Sequence, residues 1–179
     1  MKNPLRFLFF LGFVGVLTYG FHLFSQSQKE VPSSAVSGKK VSLPNELLNA
    51  DGKVVLIDEL KGKYVGLYFS ASWCGPCRTF TPKLIKFREQ NEKTFEVVLV
   101  GSDGSAKAQA NYMKKYNMPW LALKNQSDEA RELSLSLKVE YIPYLIVLDP
   151  DGNVVTKNGK EDIARLGSDA FASWQEAAE

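Results

Sequence analysis

Two stretches of the chain, residues 64–70 and 95–101, consist almost entirely of apolar side chains. Short apolar runs of this kind are typical of strands that are buried on both faces, as in a parallel sheet. Weaker β-prone runs cover three further segments: residues 53–57, 144–149 and 154–156. The turn sequence Pro150-Asp151-Gly152-Asn153 joins the last two runs, so we predict that they form an antiparallel hairpin.

Helical patterns separate these strands. The segment after the second cysteine of the chain, up to about Lys93, carries Phe80, Leu84 and Phe87 on one helical face, and we expect these side chains in the core. Three further helices are predicted, over residues 106–116, 128–137 and 168–178. Strands that alternate with helices and end in a hairpin and a helix indicate an α/β sandwich with a mostly parallel interior. We assign this domain to residues 41–179.

The amino-terminal segment has a different pattern. Residues 7–24 contain no charged side chain, follow two basic residues and precede a polar stretch. Their length is close to the roughly 20 apolar residues that cross a bilayer and exceeds the apolar part of a cleavable signal. We predict a signal anchor or transmembrane helix over residues 1–24 and a flexible linker over 25–40, with cleavage near Ser27 as the alternative. The basic flank predicts that the domain lies outside the cytoplasm, in the periplasm or its equivalent, in either case.

The predicted domain carries little net charge. The composition of the chain, with 45% hydrophobic and 23% charged residues, is that of an ordinary globular protein. Five of the 22 basic residues but only one of the 20 acidic residues precede residue 41, which leaves the predicted domain a net charge of −2. A nearly neutral domain offers no electrostatic reason to bind nucleic acid, and we expect no nucleic-acid partner.

The chain has two cysteines, Cys74 and Cys77, separated by Gly75 and Pro76. A zinc site would need a second pair of Cys or His ligands, and attachment of c-type haem would need a histidine where Arg78 stands. A disulfide across two residues closes too short a loop to stabilise the fold much. Redox exchange without a metal or cofactor is the chemistry that remains.

The cysteines lie between a predicted buried strand and a predicted helix. The amino terminus of that helix directs unpaired N–H groups and partial positive charge at Cys74, which favours the thiolate. Cys74 is therefore the expected nucleophile toward a substrate disulfide, and Cys77, one turn further along, is the expected resolving thiol. Trp73, Gly75 and Pro76 complete the predicted active-site loop, and Pro76 falls in the first helical turn, where a missing N–H costs nothing.

Several motifs, in order along the chain, resemble the thioredoxin superfamily and in particular its nucleoredoxin and tryparedoxin branch. They are YFSASWCGPCR over residues 68–78, Pro82, MPWLAL over 118–123, EYIP over 140–143 and LDPDG over 148–152. The resemblance implies a thioredoxin-like three-layer sandwich, with a central mixed sheet flanked by helices. Together with the apolar leader, it points to a membrane-anchored, bacterial-type thiol-disulfide oxidoreductase.

The resemblance also implies roles for residues far from the cysteines in sequence. Pro143 corresponds to the cis-proline that faces the redox pair, and Ile142 to a contact of the substrate chain. Trp73 corresponds to a surface tryptophan beside the nucleophile. Trp120 and Trp174 we assign to the core.

Two positions depart from the family pattern. Thioredoxins carry a buried carboxylate six residues before the first active cysteine, where this chain has Tyr68, so the base that deprotonates Cys77 is unassigned. Glu140 is a candidate for that base, with a surface salt bridge as the alternative. Tyr144 stands where a threonine usually follows the cis-proline, and we expect its bulk to narrow the site or alter the choice of partner.

Two functions from different classes fit these residues. The first is a protein-disulfide reductase that cycles Cys74 and Cys77 on the extracytoplasmic side, anchored by its amino-terminal helix and recycled by a redox partner. The second is a peptide-binding or chaperone module that uses the groove of the fold without turnover. A peroxidase would need a Thr-x-x-Cys arrangement and a copper carrier a histidine near the thiols. The predicted domain has no Thr-x-x-Cys arrangement. It also has no histidine, since the single histidine of the chain is His22.

Overall fold

The structure is a computed structural model, and it describes residues 40–178. This part of the chain contains seven strands: β1 (Glu46–Leu48), β2 (Val54–Leu56), β3 (Tyr64–Ser70), β4 (Phe95–Gly101), β5 (Leu121–Ala122), β6 (Tyr144–Leu148) and β7 (Val154–Thr156). It also contains five α-helices: α1 (Gly75–Gln90), α2 (Ala106–Lys115), α3 (Asp128–Leu137), α4 (Gly159–Leu166) and α5 (Ala170–Ala178).

The strands of residues 40–178 form one mixed sheet in the order β2-β1-β5-β4-β3-β6-β7. β3 pairs with β4 in parallel and with β6 in antiparallel orientation. β5 pairs with β4 in parallel, and β6 and β7 form the predicted antiparallel hairpin. The two long apolar runs are therefore central strands, as predicted, and the sheet is mixed because the hairpin packs beside β3.

Each face of the sheet carries a hydrophobic core because side chains alternate between the faces along a strand. On one face, Tyr68, Val97 and Leu99 pack with apolar residues of α1, α2, α4 and α5. On the other face, Leu67 and Val98 pack with apolar residues of α3. Helices therefore cover both faces, which is the three-layer arrangement that the resemblance implies.

The helix α1 follows β3 after a short loop and carries the cysteines. Cys74 is its N-cap, and Pro76 lies in its first turn, where no intrahelical hydrogen bond is lost. Phe80, Leu84 and Phe87 are all buried, as their spacing predicts. This apolar stripe holds α1 on the sheet and fixes its amino terminus at the carboxyl end of β3.

The carboxyl-terminal region differs from the sequence prediction of one helix over residues 168–178. The structure has two α-helices there, α4 and α5, separated by a 3-10 turn over Gly167–Asp169. Gly167 has a φ of 59°, in the region that favours glycine, and it ends α4. Helix α4 spans only eight residues, and only a few of them are apolar, so its periodic signal is weak. The strands β1 and β5 are likewise too short for a periodic pattern.

The predicted anchor over residues 1–24 lies outside the described residues, and so does the predicted linker except for Lys40. Within residues 40–178, no helix combines the length and the apolar character needed to span a membrane.

Candidate active site

Cys74 and Cys77 are joined by a disulfide at the amino terminus of α1, with 5.2 Å between their Cα atoms. Cys74 is 6% exposed, whereas Cys77 is 0% exposed. A substrate that approaches from solvent can therefore reach only the sulfur of Cys74. The structure brings the two predicted cysteines together as one redox pair.

The environment of Cys74 Sγ is set by its N-cap position. Its backbone is extended, with φ −79° and ψ 111°, and its side chain accepts from the backbone N–H of Cys77. The N–H donor lies 3.2 Å from the sulfur. In the reduced protein this N–H group and the helix dipole favour a negative charge on Cys74 Sγ.

The Ile142–Pro143 peptide bond is cis, as the resemblance implied. The carbonyl oxygen of Ile142 lies 3.8 Å from Cys74 Sγ, and Ile142 packs against the buried cluster of Ala71, Cys74 and Cys77. Tyr144 follows in β6, and its ring lies 5.1 Å from that of Tyr141 in an edge-on arrangement. The loop before β6 thus closes one side of the redox pair, and aromatic side chains lie next to it.

Trp73 is 64% exposed, so its predicted surface location is confirmed, while Trp120 and Trp174 are buried as predicted. The indole Nε1 of Trp73 donates to the carbonyl oxygen of Ser102 at 3.2 Å. This hydrogen bond holds the exposed ring against the loop that follows β4.

Asp103 anchors the same active-site loop from within the protein. It is fully buried, and its Oδ1 accepts hydrogen bonds from the backbone N–H and the hydroxyl of Ser72 at 3.0 and 2.5 Å. Its own carbonyl oxygen accepts from the side-chain amides of Asn125 and Gln126. Sequence reasoning missed Asp103. The sequence feature that could have indicated it is an acidic residue just after a buried strand. Such a residue lies at the edge of the sheet where the carboxyl ends of β3 and β4 meet.

Four buried hydroxyl groups lie beneath Cys77. Thr81 Oγ1 donates to the carbonyl oxygen of Cys77 at 2.9 Å, and the hydroxyl of Tyr68 donates to the same oxygen at 3.1 Å. The hydroxyl of Tyr112 lies 2.8 Å from Thr81 Oγ1 and 3.0 Å from Ser70 Oγ. All four residues are at most 2% exposed. We call this set the hydroxyl cluster.

The hydroxyl cluster places no charge below the redox pair. Burial raises the pKa of the Tyr68 phenol well above its usual value, so this group stays protonated at neutral pH. Tyr68 was noticeable in the sequence because thioredoxins carry a carboxylate at this position. The sequence did not reveal Thr81 or Tyr112, because nothing in their local sequence shows which strand they face.

Glu140 is exposed, as a surface residue should be. No ion pair among residues 40–178 includes it, so the salt bridge that we considered does not form there. Its role as a base stays a prediction.

A thioredoxin-like sandwich with a cysteine pair at a helix amino terminus and a facing cis-proline defines a class of thiol-disulfide oxidoreductases. A family model described as Thioredoxin-like matches residues 62–154 of the chain. The chain therefore belongs to the thioredoxin-like family, and it is an oxidoreductase of that class.

Proteins that are similar to this chain include nucleoredoxins and tryparedoxins. The chain is 42% identical over 128 residues to probable nucleoredoxin 1 of Arabidopsis thaliana, covering 70% of this chain and 22% of that protein. It is 38% identical to the solved tryparedoxin from Trypanosoma brucei, with a TM-score of 0.66, covering 74% of this chain and 94% of that one. It is 39% identical to a solved thioredoxin from Wuchereria bancrofti, with a TM-score of 0.65, covering 78% and 99% of the two chains. The chain spans about a quarter of the length of the nucleoredoxins that it matches.

Proposed function

We propose that the chain reduces the disulfides of protein substrates through a dithiol-disulfide cycle of Cys74 and Cys77. One observation carries this proposal: the two sulfurs are bonded to each other at a helix amino terminus, and only Cys74 reaches the surface. Such a cycle needs one sulfur that the substrate can contact and a second sulfur held within bonding distance of the first.

The cycle has two exchange steps. The thiolate of Cys74 attacks one sulfur of the substrate disulfide, forms a mixed disulfide and expels the other substrate sulfur as a thiolate. Cys77 then attacks Cys74 Sγ, forms the intramolecular disulfide and releases the second substrate sulfur, which takes up the proton of the Cys77 thiol. Two electrons pass from the protein to the substrate. A thiol-recycling redox partner supplies them again by reducing the Cys74–Cys77 disulfide.

The loop that contains cis-Pro143 is the proposed docking edge for the substrate chain. The backbone of Ile142 lies next to Cys74 Sγ, and an extended substrate segment could add to this edge through main-chain hydrogen bonds. Trp73, Gly75 and Pro76 form the opposite side of the contact, with Trp73 and Pro76 exposed. The disulfide of the substrate would then approach Cys74 between these two loops.

The proposal includes a location on the extracytoplasmic side of a membrane. Its support is the uncharged segment 7–24 behind a basic flank. Intact cells are labelled with a membrane-impermeant thiol reagent, with and without prior reductant, and then fractionated. Labelling of Cys74 in intact cells together with sedimentation with the membranes is the expected result. Labelling only after lysis would overturn the location, and recovery in the soluble fraction would favour cleavage near Ser27.

Turnover is tested with the full chain in an insulin-reduction assay with dithiothreitol as the reductant. Cys74→Ser should lower reduction to the background rate of dithiothreitol alone, because the remaining thiol, Cys77, is fully buried. Cys77→Ser, reduced and separated from dithiothreitol before it is mixed with insulin, should stop after the first step and accumulate the mixed disulfide, which mass spectrometry of the intact protein detects. If both variants retain the cellular function while the wild-type chain shows no turnover, the chain is instead a peptide-binding or chaperone module.

A further inference from the structure

A cleft opens beside the active-site loop, between α1 and α2, with a volume of about 250 Å³. Its walls include six residues with polar groups: Ser72, Arg78, Asn111, Tyr112, Lys115 and Tyr116. We call it the Arg78–Lys115 cleft. None of its residues has a part in the exchange steps described above.

The floor of the cleft is held in place by the core. The rings of Tyr112 and Tyr116 meet edge-on, with 5.3 Å between their centroids. Tyr112 is 2% exposed, and its hydroxyl is held by Thr81 and Ser70 in the hydroxyl cluster. A site with a fixed floor loses little conformational entropy when a ligand binds.

The rim of the cleft is basic. Arg78 and Lys115 are both exposed, and the ion pairs of residues 40–178 are made by other basic side chains. The adjacent Asn111 adds an exposed amide. Two cations without a carboxylate partner attract an anion, and a guanidinium with an amide offers the hydrogen-bond donors that a carboxylate accepts.

The cleft adjoins the loop and helix turn that carry the reactive sulfur. Ser72 lies two residues before Cys74, and the backbone N–H of Arg78 donates to the carbonyl oxygen of Cys74 at 3.1 Å. The guanidinium of Arg78 turns back over the active-site loop, because its Nη2 lies 4.0 Å from where a Cβ on Gly75 would stand. A substituent on a disulfide at Cys74 therefore starts next to the rim.

We propose that the Arg78–Lys115 cleft binds a carboxylate of the disulfide substrate, so that the chain favours anionic over cationic disulfides. The proposal rests on the reductase function proposed above and names the class of substrate for that site. A cleft of about 250 Å³ holds a group of a few heavy atoms, such as one acidic residue next to the cystine or the acid group of a small disulfide.

The test uses three small disulfides of similar length and different charge. They are 3,3′-dithiodipropionic acid, which is anionic, bis(2-hydroxyethyl) disulfide, which is neutral, and cystamine, which is cationic. The pre-reduced full chain is mixed with each disulfide, and the rate constant for its oxidation is measured in a single turnover without a recycling partner. The ratio of the anionic to the neutral rate constant is the readout, because general effects on Cys74 reactivity cancel in it.

Lys115→Gln should lower this ratio by about threefold at low salt and have little effect at high salt, where the field of an exposed charge is screened. Lys115→Glu should lower it further and raise the rate constant for cystamine. Lys114→Gln is the matched control. It removes the same charge one residue away, from a side chain that is paired with Asp51 at 2.9 Å and that does not line the cleft.

Three results would count against the cleft as a carboxylate site. An unchanged ratio in Lys115→Gln would exclude a contribution of this lysine. An equal decrease in Lys114→Gln would assign the preference to net charge alone. If the wild-type chain does not reduce the neutral disulfide, the reductase function itself fails and the proposal fails with it, whereas normal neutral turnover with an unaffected ratio overturns only the proposal.

Discussion

Replacing Thr81 by valine removes one hydroxyl group from the hydroxyl cluster and leaves the shape of the side chain almost unchanged. Thr81 Oγ1 donates to the carbonyl oxygen of Cys77 at 2.9 Å, and it lies 3.0 Å from the hydroxyl of Tyr68 and 2.8 Å from that of Tyr112. Because the single proton of Tyr68 is donated to Cys77, the substitution breaks two hydrogen bonds, the one to Cys77 and the one with Tyr112, at a site that is closed to solvent.

Each such hydrogen bond contributes about 0.5–1.5 kcal/mol to the free energy of unfolding. We expect the loss of unfolding free energy to lie in the middle of the range summed over these hydrogen bonds. The reason is that Tyr68 can still donate to Cys77 and that Tyr112 still has Ser70 as a partner. We expect Thr81→Val to lower the free energy of unfolding by about 2 kcal/mol. For a domain of this size the melting temperature then falls by about 6–8 °C.

Urea unfolding of the oxidised full chain, followed by circular dichroism, measures this change. Thr79→Val is the control, because Thr79 is exposed on the same helix and its hydroxyl makes only a 3.4 Å contact with the carbonyl oxygen of Gly75. We expect the control to change the free energy of unfolding by less than about 0.5 kcal/mol. Equal effects of the two substitutions would refute the energetic role of the hydroxyl cluster.

Three further predictions concern stability. Because burial raises the pKa of the Tyr68 phenol, its contribution is complete below the unfolded-state pKa of about 10 and is lost as the pH rises above that value. The urea midpoint of the wild-type chain should therefore fall more steeply above about pH 10 than that of Tyr68→Phe, and parallel curves would contradict this. Gly66→Ala places a Cβ 2.8 Å from the ring of Phe95, whereas a Cβ on Gly104 meets no atom within 4 Å. The first substitution should cost about 1–3 kcal/mol and Gly104→Ala nearly nothing, and equal melting temperatures would show that the ring moves aside. Asp103→Ala removes the acceptor of two hydrogen bonds from the active-site loop. It should lower the free energy of unfolding by about 2 kcal/mol in the same urea assay, and a wild-type midpoint would show that water replaces the carboxylate.

The central strands and the active-site helix were predictable because their signals are local. A strand buried on both faces must be apolar at nearly every position, and the predicted bounds of β3 and β4 agree with the structure. A helix that packs one face on a sheet must repeat apolar residues at helical spacing, as Phe80, Leu84 and Phe87 do. The short elements β1, β5 and α4 lack such a repeat. Their conformation depends on the strands that they pair with and on the residues that they pack against in the folded protein.

The candidate site divides in the same way. The cysteines, the strand before them and the helix after them are contiguous, so their chemistry could be inferred from spacing. Pro143 was assigned through the resemblance, and its cis bond is present. The side chains of Asp103, Thr81 and Tyr112 reach the site from other elements, and their local sequence does not show where those elements pack.

By itself, therefore, the sequence determined the order of strands and helices in the core and the redox chemistry of Cys74 and Cys77. Both depend on interactions between residues a few positions apart. Only the tertiary structure decided what surrounds the pair: an uncharged hydroxyl cluster beneath Cys77 and a basic cleft with Lys115 at its rim. These groups lie on separate segments, and only the packing of α1 and α2 on the sheet brings them within hydrogen-bonding or electrostatic range of one another.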